Sequence, residues 1–433
     1  MRLTDEQRAL RESVRELLRR HRPDVRDPMG SPALLDSDPG PDPGDRPDPG
    51  HRPDPLRRPD PGHRPDPGYD LALWRRLGEM GVAGLAVPER FGGAGAGPVE
   101  TSVVAEELGR ILAPAPLIGS AVLATQVILG CGDTDAGQRL LPGLSAGSLI
   151  AALAWTGPGG GWDPAEAAFA AAEQPGEGWT LNGEAHHVLD GDSADVLIAA
   201  ARTPRGIGLF EVDPDQPGVT RHAVTTMDQT RRLAVVRLSS ASGRPLGPGP
   251  PHGRAAPPGP ATAPDPVTAP SPVTASGPAA LSAPEALARA RDLTCIALSA
   301  EQVGAAARAL ELTVGYTRTR VQFGRPIASF QAIQHRLADL YVLVHSARAL
   351  SYQAAGDAAS GASGWPSRAA AAKAYCSEAL MQVTVEMIQL HGAIGVTWEH
   401  EAHRYFKRAH GTAQLLGQPT AHIARIATAI IGA

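Results

Sequence analysis

The first apolar positions of the chain recur every three or four residues, which places them on one face of an α-helix. Thr4 and Gln7 have the spacing of a capping box, so the helix is predicted to span residues 4–21. The residues on its apolar face are Leu10, Val14, Leu17 and Leu18.

Helical spacing continues through the N-terminal third of the chain. It predicts a short helix at residues 71–80 and longer ones at residues 98–112 and 117–130. VPERFGG (87–93) contains a proline and a glycine pair, which end a helix. Residues 1–148 are therefore predicted to form a mostly α-helical domain.

The pattern changes at about residue 149. Short apolar runs separated by Gly, Asp and Pro are typical of β-strands, and they predict a small β-domain over residues 149–242. The runs are LIAALAW, WTLNGEAHHVL, DVLIAAAR, GIGLFEV and RLAVVRL.

Helical spacing returns at SAPE (282–285), a second capping box. The helix that it opens has many Ala and Gly positions, including Gly304, which predict close approach of a neighbouring helix. Residues 282–433 are predicted to form a C-terminal four-helix bundle. Its helices are expected from Ser282 to about Thr317, over residues 330–355 and 367–390, and within residues 412–431.

Two proline-rich segments interrupt these patterns, one within the N-terminal domain and one between the β-domain and the C-terminal helices. An insert over residues 28–68 contains a six-residue repeat over 45–68, and a Pro/Ala/Gly-rich linker covers residues 243–281. Proline removes backbone donors and fixes φ, so neither a helix nor a strand ladder is expected there. A solvated, inert insertion is favoured over a binding role, because long surface loops cost little stability.

Charge and composition exclude several classes of function. The net charge of −5 creates no general attraction for nucleic acid. No run of about 18 apolar residues predicts a membrane span, and the N-terminal helix lacks the apolar core of a secretory signal. Cys131, Cys295 and Cys376 lie far apart without the spacing of a metal site, which favours a reduced cytoplasmic setting.

RTRVQFGRPIASFQ (318–331) interrupts two predicted helices with a stiff, arginine-rich corner. Arg320 offers a bidentate fork that suits a pyrophosphate, and Phe323 offers a flat face for a ring. Gln322 and Gln331 can donate hydrogen bonds to phosphate or ribose. The alternative is an ordinary helix–helix corner with a surface arginine.

QLHGAIGVTWEHEAH (389–403) is the second unusual stretch. Gly392 and Gly395 allow a nucleotide to approach the backbone, and Thr397 can cap the next helix over an anion. The alternative is a common glycine helix stop followed by an N-cap. Because no strand precedes the glycines, this is not a dinucleotide-binding fingerprint.

Both stretches resemble hallmark motifs of the acyl-CoA dehydrogenase family, and WRRLGEMGVAGLAVPERFGGAG, EELGR and SAEQVG are similar to the same family. The resemblance implies an α+β, mainly α fold, with an N-terminal helical domain, a central β-barrel-like domain and a C-terminal four-helix bundle. It implies FAD as cofactor, an acyl-CoA thioester as substrate and electron-transfer flavoprotein as acceptor. It also implies an oligomer, in which the adenosine half of FAD reaches a neighbouring subunit.

The resemblance implies three groups of FAD contacts on the adenosine side. One group touches the pyrophosphate across the dimer interface, a second follows it in the chain, and a third lies along the adenosine half. The first group is Arg320, Gln322 and Phe323, the second is Phe330 and Gln331, and the third is Gln389, Gly392, Ala393 and Gly395.

On the isoalloxazine side the chain departs from the family pattern. The family's Thr-Glu-Pro-Gly loop reads AWTGPGGGWDP (154–164) here, and its Trp-x-Thr strand has His187 and Leu189. A backbone amide near Leu189 is expected to donate a hydrogen bond to the flavin, without the family's side-chain hydroxyl.

The catalytic base of the family is missing from both positions where the resemblance places it. A glutamate normally removes the α-proton while a hydride passes to the flavin. The usual position has Leu416 before Gly417, and the alternative position has Thr294. The acids that remain nearby are Asp292, Glu301, Glu399 and Glu401, and Glu301 is expected to be structural.

Four hypotheses follow from the resemblance and the missing base. The chain is a dehydrogenase subunit that pairs in a heteromer with a homologous subunit carrying the glutamate, or it is a self-sufficient dehydrogenase with a displaced base. The resemblance leaves a homo- or a hetero-oligomer open. The other two are a flavin-dependent oxidase or monooxygenase on the same scaffold, and a non-catalytic structural partner subunit.

Overall fold

A computed structural model of the chain describes residues 3–20, 70–247 without Pro175 and Glu177, and 280–432. The insert over 28–68, and most of the linker predicted over 243–281, lie outside these ranges. In the part of the chain that the structure describes, no helix is long and apolar enough to cross a membrane.

The N-terminal region is helical, as predicted. The backbone N–H of Thr4 donates to Oε1 of Gln7 at 2.9 Å, which confirms the first capping box. Val14 and Leu18 are buried on its helix, while Leu10 and Leu17 are half-buried. The helices are α1 (Asp5–Arg20), α2 (Leu71–Glu79), α3 (Pro98–Arg110), α4 (Thr125–Gly130) and α5 (Thr134–Ser145).

A π-helical segment, Leu117–Ala124, leads directly into α4 and is buried along its whole length. It passes so close to the β-domain that a Cβ on Gly119 would lie 2.2 Å from Oδ2 of Asp190 and 2.9 Å from Cβ of Leu189. Only glycine fits there, so Leu189 is packed beneath this segment.

The β-domain is a seven-stranded sheet whose pairings close into a ring of β4, β2, β3, β7 and β5, which pairs again with β4. β1 runs parallel to β4, and β6 pairs with β7. The strands are β1 (Ala151–Ala154), β2 (Phe169–Gln174), β3 (Gly178–Leu189), β4 (Val196–Thr203), β5 (Gly206–Val212), β6 (Val219–Ala223) and β7 (Leu233–Leu246).

The C-terminal region consists of long helices packed around one another. Ser282 N donates to Oε2 of Glu285 at 2.9 Å, which confirms the second capping box. A two-stranded hairpin separates the first two helices. The elements are α6 (Ala283–Thr319), β8 (Val321–Gln322), β9 (Arg325–Pro326), α7 (Gln331–Ala359), α8 (Trp365–His391), α9 (Ala402–Gln414) and α10 (Pro419–Ile431).

Glycines bring α3 and α6 together. A Cβ on Gly304 would lie 1.9 Å from the carbonyl oxygen of Glu106, and a Cβ on Gly109 would lie 2.0 Å from that of Glu301. EELGR on α3 and SAEQVG on α6 therefore pack against each other through their glycines. The predicted close approach of a helix at Gly304 is confirmed.

The predicted fold class is confirmed, with local corrections. Strands β2 and β6 were not predicted, and β7 continues to Leu246, four residues past the expected end of the β-domain. The region predicted to hold one last helix contains the end of α9 and all of α10, because Leu415–Gln418 form a turn that Gly417 and Pro419 favour.

Candidate active site

A cavity of about 820 Å³ lies between the β-domain and the C-terminal helices. The glycine loop after β1, the end of β3, α6 and the α9–α10 turn all contribute to its wall. Its lining residues include Gly159, Gly160, Gly161, Trp162, Asp163, His187, Arg291, Leu416, Gly417, Gln418, His422 and Arg425.

His187 reaches this cavity because β3 is irregular at that point. The pairing of β3 with β7 shifts register between Ala185 and Val188, and His187 has φ +55°. Thr156 holds both backbone groups of His186, the residue before His187. The Thr156 carbonyl accepts a hydrogen bond from His186 N at 2.7 Å, and the Thr156 hydroxyl donates one to His186 O at 2.5 Å. Burial, together with the neighbouring His186, lowers the pKa of His187, so its ring is neutral near pH 7.

The glycine loop forms an open wall of the cavity. A Cβ on Gly159 would meet no atom within 4 Å, so a ligand can approach this backbone closely. At the end of the loop Trp162 packs edge-on against Trp155, with ring centroids 5.9 Å apart. The backbone carbonyl of Trp162 accepts a 3.4 Å hydrogen bond from Arg291 Nη1, which ties the loop to α6.

The α9–α10 turn presents Leu416 where the resemblance places a glutamate. Leu416 is 1% exposed, belongs to the largest apolar cluster of the described residues, and has φ +58°. Lys373 of α8, fully buried, holds this turn with its Nζ 3.4 Å from the carbonyl of Ala413 and 3.5 Å from that of Gly417.

Two arginines hold one carboxylate at the edge of the cavity. Asp292 accepts from Arg291 Nε at 3.0 Å and from Arg425 Nη2 at 2.8 Å. Arg425 Nη1 also lies 3.3 Å from Nδ1 of the buried His422. Burial and the nearby Lys373, Arg425 and Arg291 lower the pKa of His422 to about 3, so it is neutral at physiological pH.

The acids considered from the sequence do not provide a free base in this cavity. Glu301 accepts from Arg408 Nη1 at 2.7 Å and also pairs with Arg231, which confirms its structural role. Asp292 is shared by two arginines, while Glu399 and Glu401 are exposed and do not line the cavity. Asp163 is the one acidic residue among the described lining residues, and it is exposed at the rim of the cavity. Its Oδ1 accepts a hydrogen bond from Ala165 N at 2.9 Å.

The side chain at the second candidate base position is also held by a structural hydrogen bond. Thr294 is fully buried, and its hydroxyl donates to the carbonyl of Ala290 at 2.6 Å. Neither Thr294 nor Leu416 can therefore remove a proton from a substrate.

The predicted pyrophosphate contacts lie on the β8–β9 hairpin at the end of α6. Phe323 is 91% exposed with φ +55°, and its ring lies edge-on to Phe330 at 6.1 Å. Arg320, Gln322 and Gln331 are also exposed. The Arg320 guanidinium has no ion pair within the described part of the chain, so it is available to an anion.

The predicted adenosine loop lies beside this hairpin. Gly392 ends α8 with φ +66° and ψ −143°, a conformation that favours glycine. Tyr316 stacks on His391 with centroids 4.4 Å apart, and Arg320 N donates to the Tyr316 carbonyl at 2.9 Å. The two sequence motifs are thus joined at one end of the bundle. In this loop Gln389 and Ala393 are exposed, and Gly395 is buried.

Within this chain the structure does not bring all the predicted contacts into one cavity. His187 and Leu416 share the large cavity, whereas Leu189 is buried beneath the π-helical segment, and the hairpin and adenosine-loop residues do not line the cavity. Among the described residues, four of the six non-glycine residues with positive φ nevertheless fall at or next to sequence-predicted positions, where backbone strain is typical of functional sites. They are His187, Asp190, Phe323 and Leu416.

Sequence models of known protein domains match all three parts of the chain. The sequence models of the acyl-CoA dehydrogenase N-terminal, middle and C-terminal domains match residues 61–148, 152–238 and 285–431. The chain belongs to the acyl-CoA dehydrogenase family. Members of this family are oxidoreductases that act on acyl-CoA and bind FAD.

Several acyl-CoA dehydrogenases are similar along most of the chain. Acyl-CoA dehydrogenase IpdE2 of Mycobacterium tuberculosis is 39% identical over 83% of this chain and 86% of its own. A structure of a variant of the Tcur3481–Tcur3483 steroid ACAD has a TM-score of 0.76 and 29% identity, covering 99% of this chain and 98% of that one. The ChsE4–ChsE5 complex of M. tuberculosis has a TM-score of 0.74 and 26% identity, covering 100% and 99%.

The residues present fit the FAD of acyl-CoA dehydrogenases. The open glycine wall, the free Arg320 and the exposed Phe323 offer close backbone approach, a cation and an aromatic face. Reasoning from sequence missed four basic residues that meet at or beside the cavity from α6, α8 and α10. They are Arg291, Lys373, His422 and Arg425. Only Asp292, next to Arg291, gave a sign of that cluster.

Proposed function

We propose that this chain is the FAD-binding, base-lacking subunit of a heteromeric acyl-CoA dehydrogenase. The observation that carries the proposal is the side chain of Leu416, which is 1% exposed in an apolar cluster at the position of the family's glutamate. A homologous subunit supplies the carboxylate that removes the substrate α-proton.

The remaining contacts argue against a displaced base in this chain. Thr294 donates its hydroxyl to the helix backbone, and Glu301 and Asp292 each accept from two arginines. A carboxylate that is held by guanidinium groups is stabilised in its charged form and is a weak proton acceptor.

The names of two similar structures support a heteromer. The Tcur3481–Tcur3483 steroid ACAD and the ChsE4–ChsE5 complex are each named for two chains. The first name also makes steroid-derived acyl-CoA thioesters the first substrates to test. Electron-transfer flavoprotein is the proposed acceptor.

Bound FAD would supply the acceptor for the hydride that leaves the substrate β-carbon. Arg320 on the hairpin would pair with the cofactor pyrophosphate, and Phe323 would lie against a ring of the cofactor. The glycine loop 159–161 admits cofactor or thioester close to the backbone, and neutral His187 lines the same cavity without adding charge. Leu416 contributes an apolar side chain to the core beside this cavity.

The proposal is tested by purifying the chain alone and together with a glutamate-bearing homologue. Flavin absorbance and size-exclusion mass report cofactor content and assembly. Anaerobic flavin bleaching is then followed with straight-chain and steroid-derived acyl-CoA thioesters. We expect bleaching by the complex and none by the isolated chain.

Two matched variants sharpen the test. Replacing the partner's glutamate by glutamine is expected to abolish bleaching, whereas Leu416→Met in this chain is expected to preserve it. Bleaching by the isolated wild-type chain, at the rate of the complex, would contradict the proposal. Oxygen consumption without α,β-dehydrogenation would indicate a flavin-dependent oxidase instead.

A further inference from the structure

A second cavity of about 510 Å³ lies among the N-terminal helices and α6. It shares no lining residue with the candidate active site. Part of its wall is the VPERFGG stretch, which contributes Pro88 and Arg90. The other residues used below are Gln126, Leu129, Arg289, Leu293, Ala297 and Ala359.

The two cavities lie on opposite faces of α6. Arg291 lines the candidate active site and Leu293 lines the second cavity. Successive residues of an α-helix are about 100° apart, so these two side chains leave the helix about 200° apart. Arg289, Leu293 and Ala297 are spaced by four residues and line the second cavity as one stripe.

The wall of the second cavity is mostly apolar, and its size is within the usual range of about 300–1,000 Å³ for ligand pockets. An apolar cavity of this kind favours an apolar ligand over water. Leu129, Leu293 and Ala297 supply part of this apolar wall from α4 and α6.

Two of the described lining residues of this cavity are charged, and both are arginines. Arg90 and Arg289 are exposed, and neither has an ion pair or a hydrogen bond within the described ranges. Each guanidinium lies only over an aromatic ring, Arg90 at 4.7 Å from Phe91 and Arg289 at 5.8 Å from Trp365. No acid is among the described lining residues, which include the amide of Gln126.

Two other arginines on helices around this cavity are paired. Arg348 on α7 lies 2.9 Å from Glu106, and Arg110 on α3 lies 2.6 Å from Glu311. Arg90 and Arg289 remain open to a ligand, and guanidinium groups match carboxylates and phosphates in geometry.

We propose that this cavity binds an amphipathic anion, whose apolar body lies against Leu129, Leu293 and Ala297 and whose carboxylate or phosphate pairs with Arg90 and Arg289. The site is separate from the FAD cavity. It takes a free alkyl or alicyclic carboxylate, or the acyl portion of a thioester with its phosphates at the arginines.

The first test measures binding of decanoate to the full-length protein by isothermal titration calorimetry, with decanol as the neutral analogue. We expect saturable decanoate binding that Arg90→Gln and Arg289→Gln each weaken about 3- to 10-fold, because each removes one exposed charge-assisted contact. Arg202→Gln, at an exposed arginine of the β-domain, is the matched control and is expected to have no effect.

The cavity itself is tested by filling it. Leu129→Trp, or Ala359→Phe at the exposed rim if the first variant unfolds, is expected to abolish binding of both probes. Decanoyl-CoA competing with decanoate would identify the thioester as a ligand of the same site. Absence of saturable decanoate binding, or decanoate binding that survives the double arginine variant or the filled cavity, would overturn the proposal.

Discussion

Nη1 of Arg408 lies 2.7 Å from Oε1 of Glu301, and both side chains are nearly inaccessible to water. Arg231 pairs with the same carboxylate. The contact joins α6, α9 and the segment before β7, so Glu301 connects the β-domain to the C-terminal helices.

Glu301→Gln is expected to destabilise the protein by about 3 kcal/mol, because it leaves the buried Arg231 without its ion-pair partner and Arg408 with Asp228 alone. Burial alone would raise the pKa of Glu301, but Arg231 and Arg408 outweigh it and lower the pKa. This stabilisation is present above the ordinary glutamate pKa and is lost as pH falls through the lowered one. Thermal unfolding at pH 7 measures the difference.

Glu311→Gln is the control for this prediction. Glu311 is on the same helix, and its pair with Arg110 is 49% exposed on the carboxylate side, so its loss should cost less than about 1 kcal/mol. If the two variants unfold at the same temperature, the buried pair does not stabilise the fold as argued.

Lys373→Met is expected to remove a pH dependence of stability. Burial lowers the pKa of Lys373 to about 8. Between that value and the ordinary lysine pKa of about 10.4, Lys373 binds a proton in the unfolded chain but not in the folded one, so its own contribution to stability rises with pH. The buried cysteines, whose pKa values burial raises to about 12, contribute in the opposite sense in both proteins. The measurement is therefore the difference in melting temperature between wild type and Lys373→Met at pH 7.5, 9 and 10, which should shift in favour of wild type as pH rises.

Lys407→Met, at the chain's other lysine, is the matched control. Lys407 lies over Trp398 at 4.5 Å on the protein surface, so this variant should retain the wild-type pH dependence. If the difference in melting temperature between wild type and Lys373→Met does not change with pH, the titration of Lys373 does not contribute to stability in this window.

Leu416→Glu is expected to fold less stably than wild type. A carboxyl group at a 1% exposed apolar position has a raised pKa, and it costs several kcal/mol when ionised. We expect its melting temperature to approach that of wild type as pH falls from 8 to 5, whereas Leu416→Met stays close to wild type throughout. Dehydrogenation by the folded Leu416→Glu chain alone would show that the flavin side is competent and that only the base was lost.

Arg320→Ala is expected to weaken FAD retention by roughly 10- to 100-fold, since a charge-assisted contact to phosphate is worth about 1.5–3 kcal/mol. Arg318→Ala removes an equally exposed arginine two residues earlier and should have little effect. The flavin-to-protein absorbance ratio after gel filtration is the measurement, made on the complex if FAD is shared between subunits. Equal flavin content in both variants would show that Arg320 does not contact the pyrophosphate.

Features encoded by neighbouring residues were predictable from sequence. The capping boxes at Thr4–Gln7 and Ser282–Glu285 formed as expected, because partners three residues apart need no tertiary context. Strand β2 was missed because its FAAAEQ sequence is alanine-rich and lacks β-branched residues.

Contacts between distant segments were not predictable. The cavity depends on Arg425 reaching Asp292 across 133 positions and on Lys373 reaching Gly417 across 44. Periodicity identifies the helices that carry these residues but does not specify which helix ends meet. The motif around Arg320 and Phe323 was recognisable because its residues are contiguous.

Helix α6 also limits how the length of this chain can change. It has 37 residues and is about 55 Å long at 1.5 Å per residue, and it contributes to both cavities before it ends at the β8–β9 hairpin. A single-residue insertion between Arg291 and Arg320 would rotate everything beyond it by about 100° and shift it by about 1.5 Å. Natural variants of this protein should therefore gain and lose residues in the proline-rich segments, while the spacing from Arg289 to Phe323 stays constant.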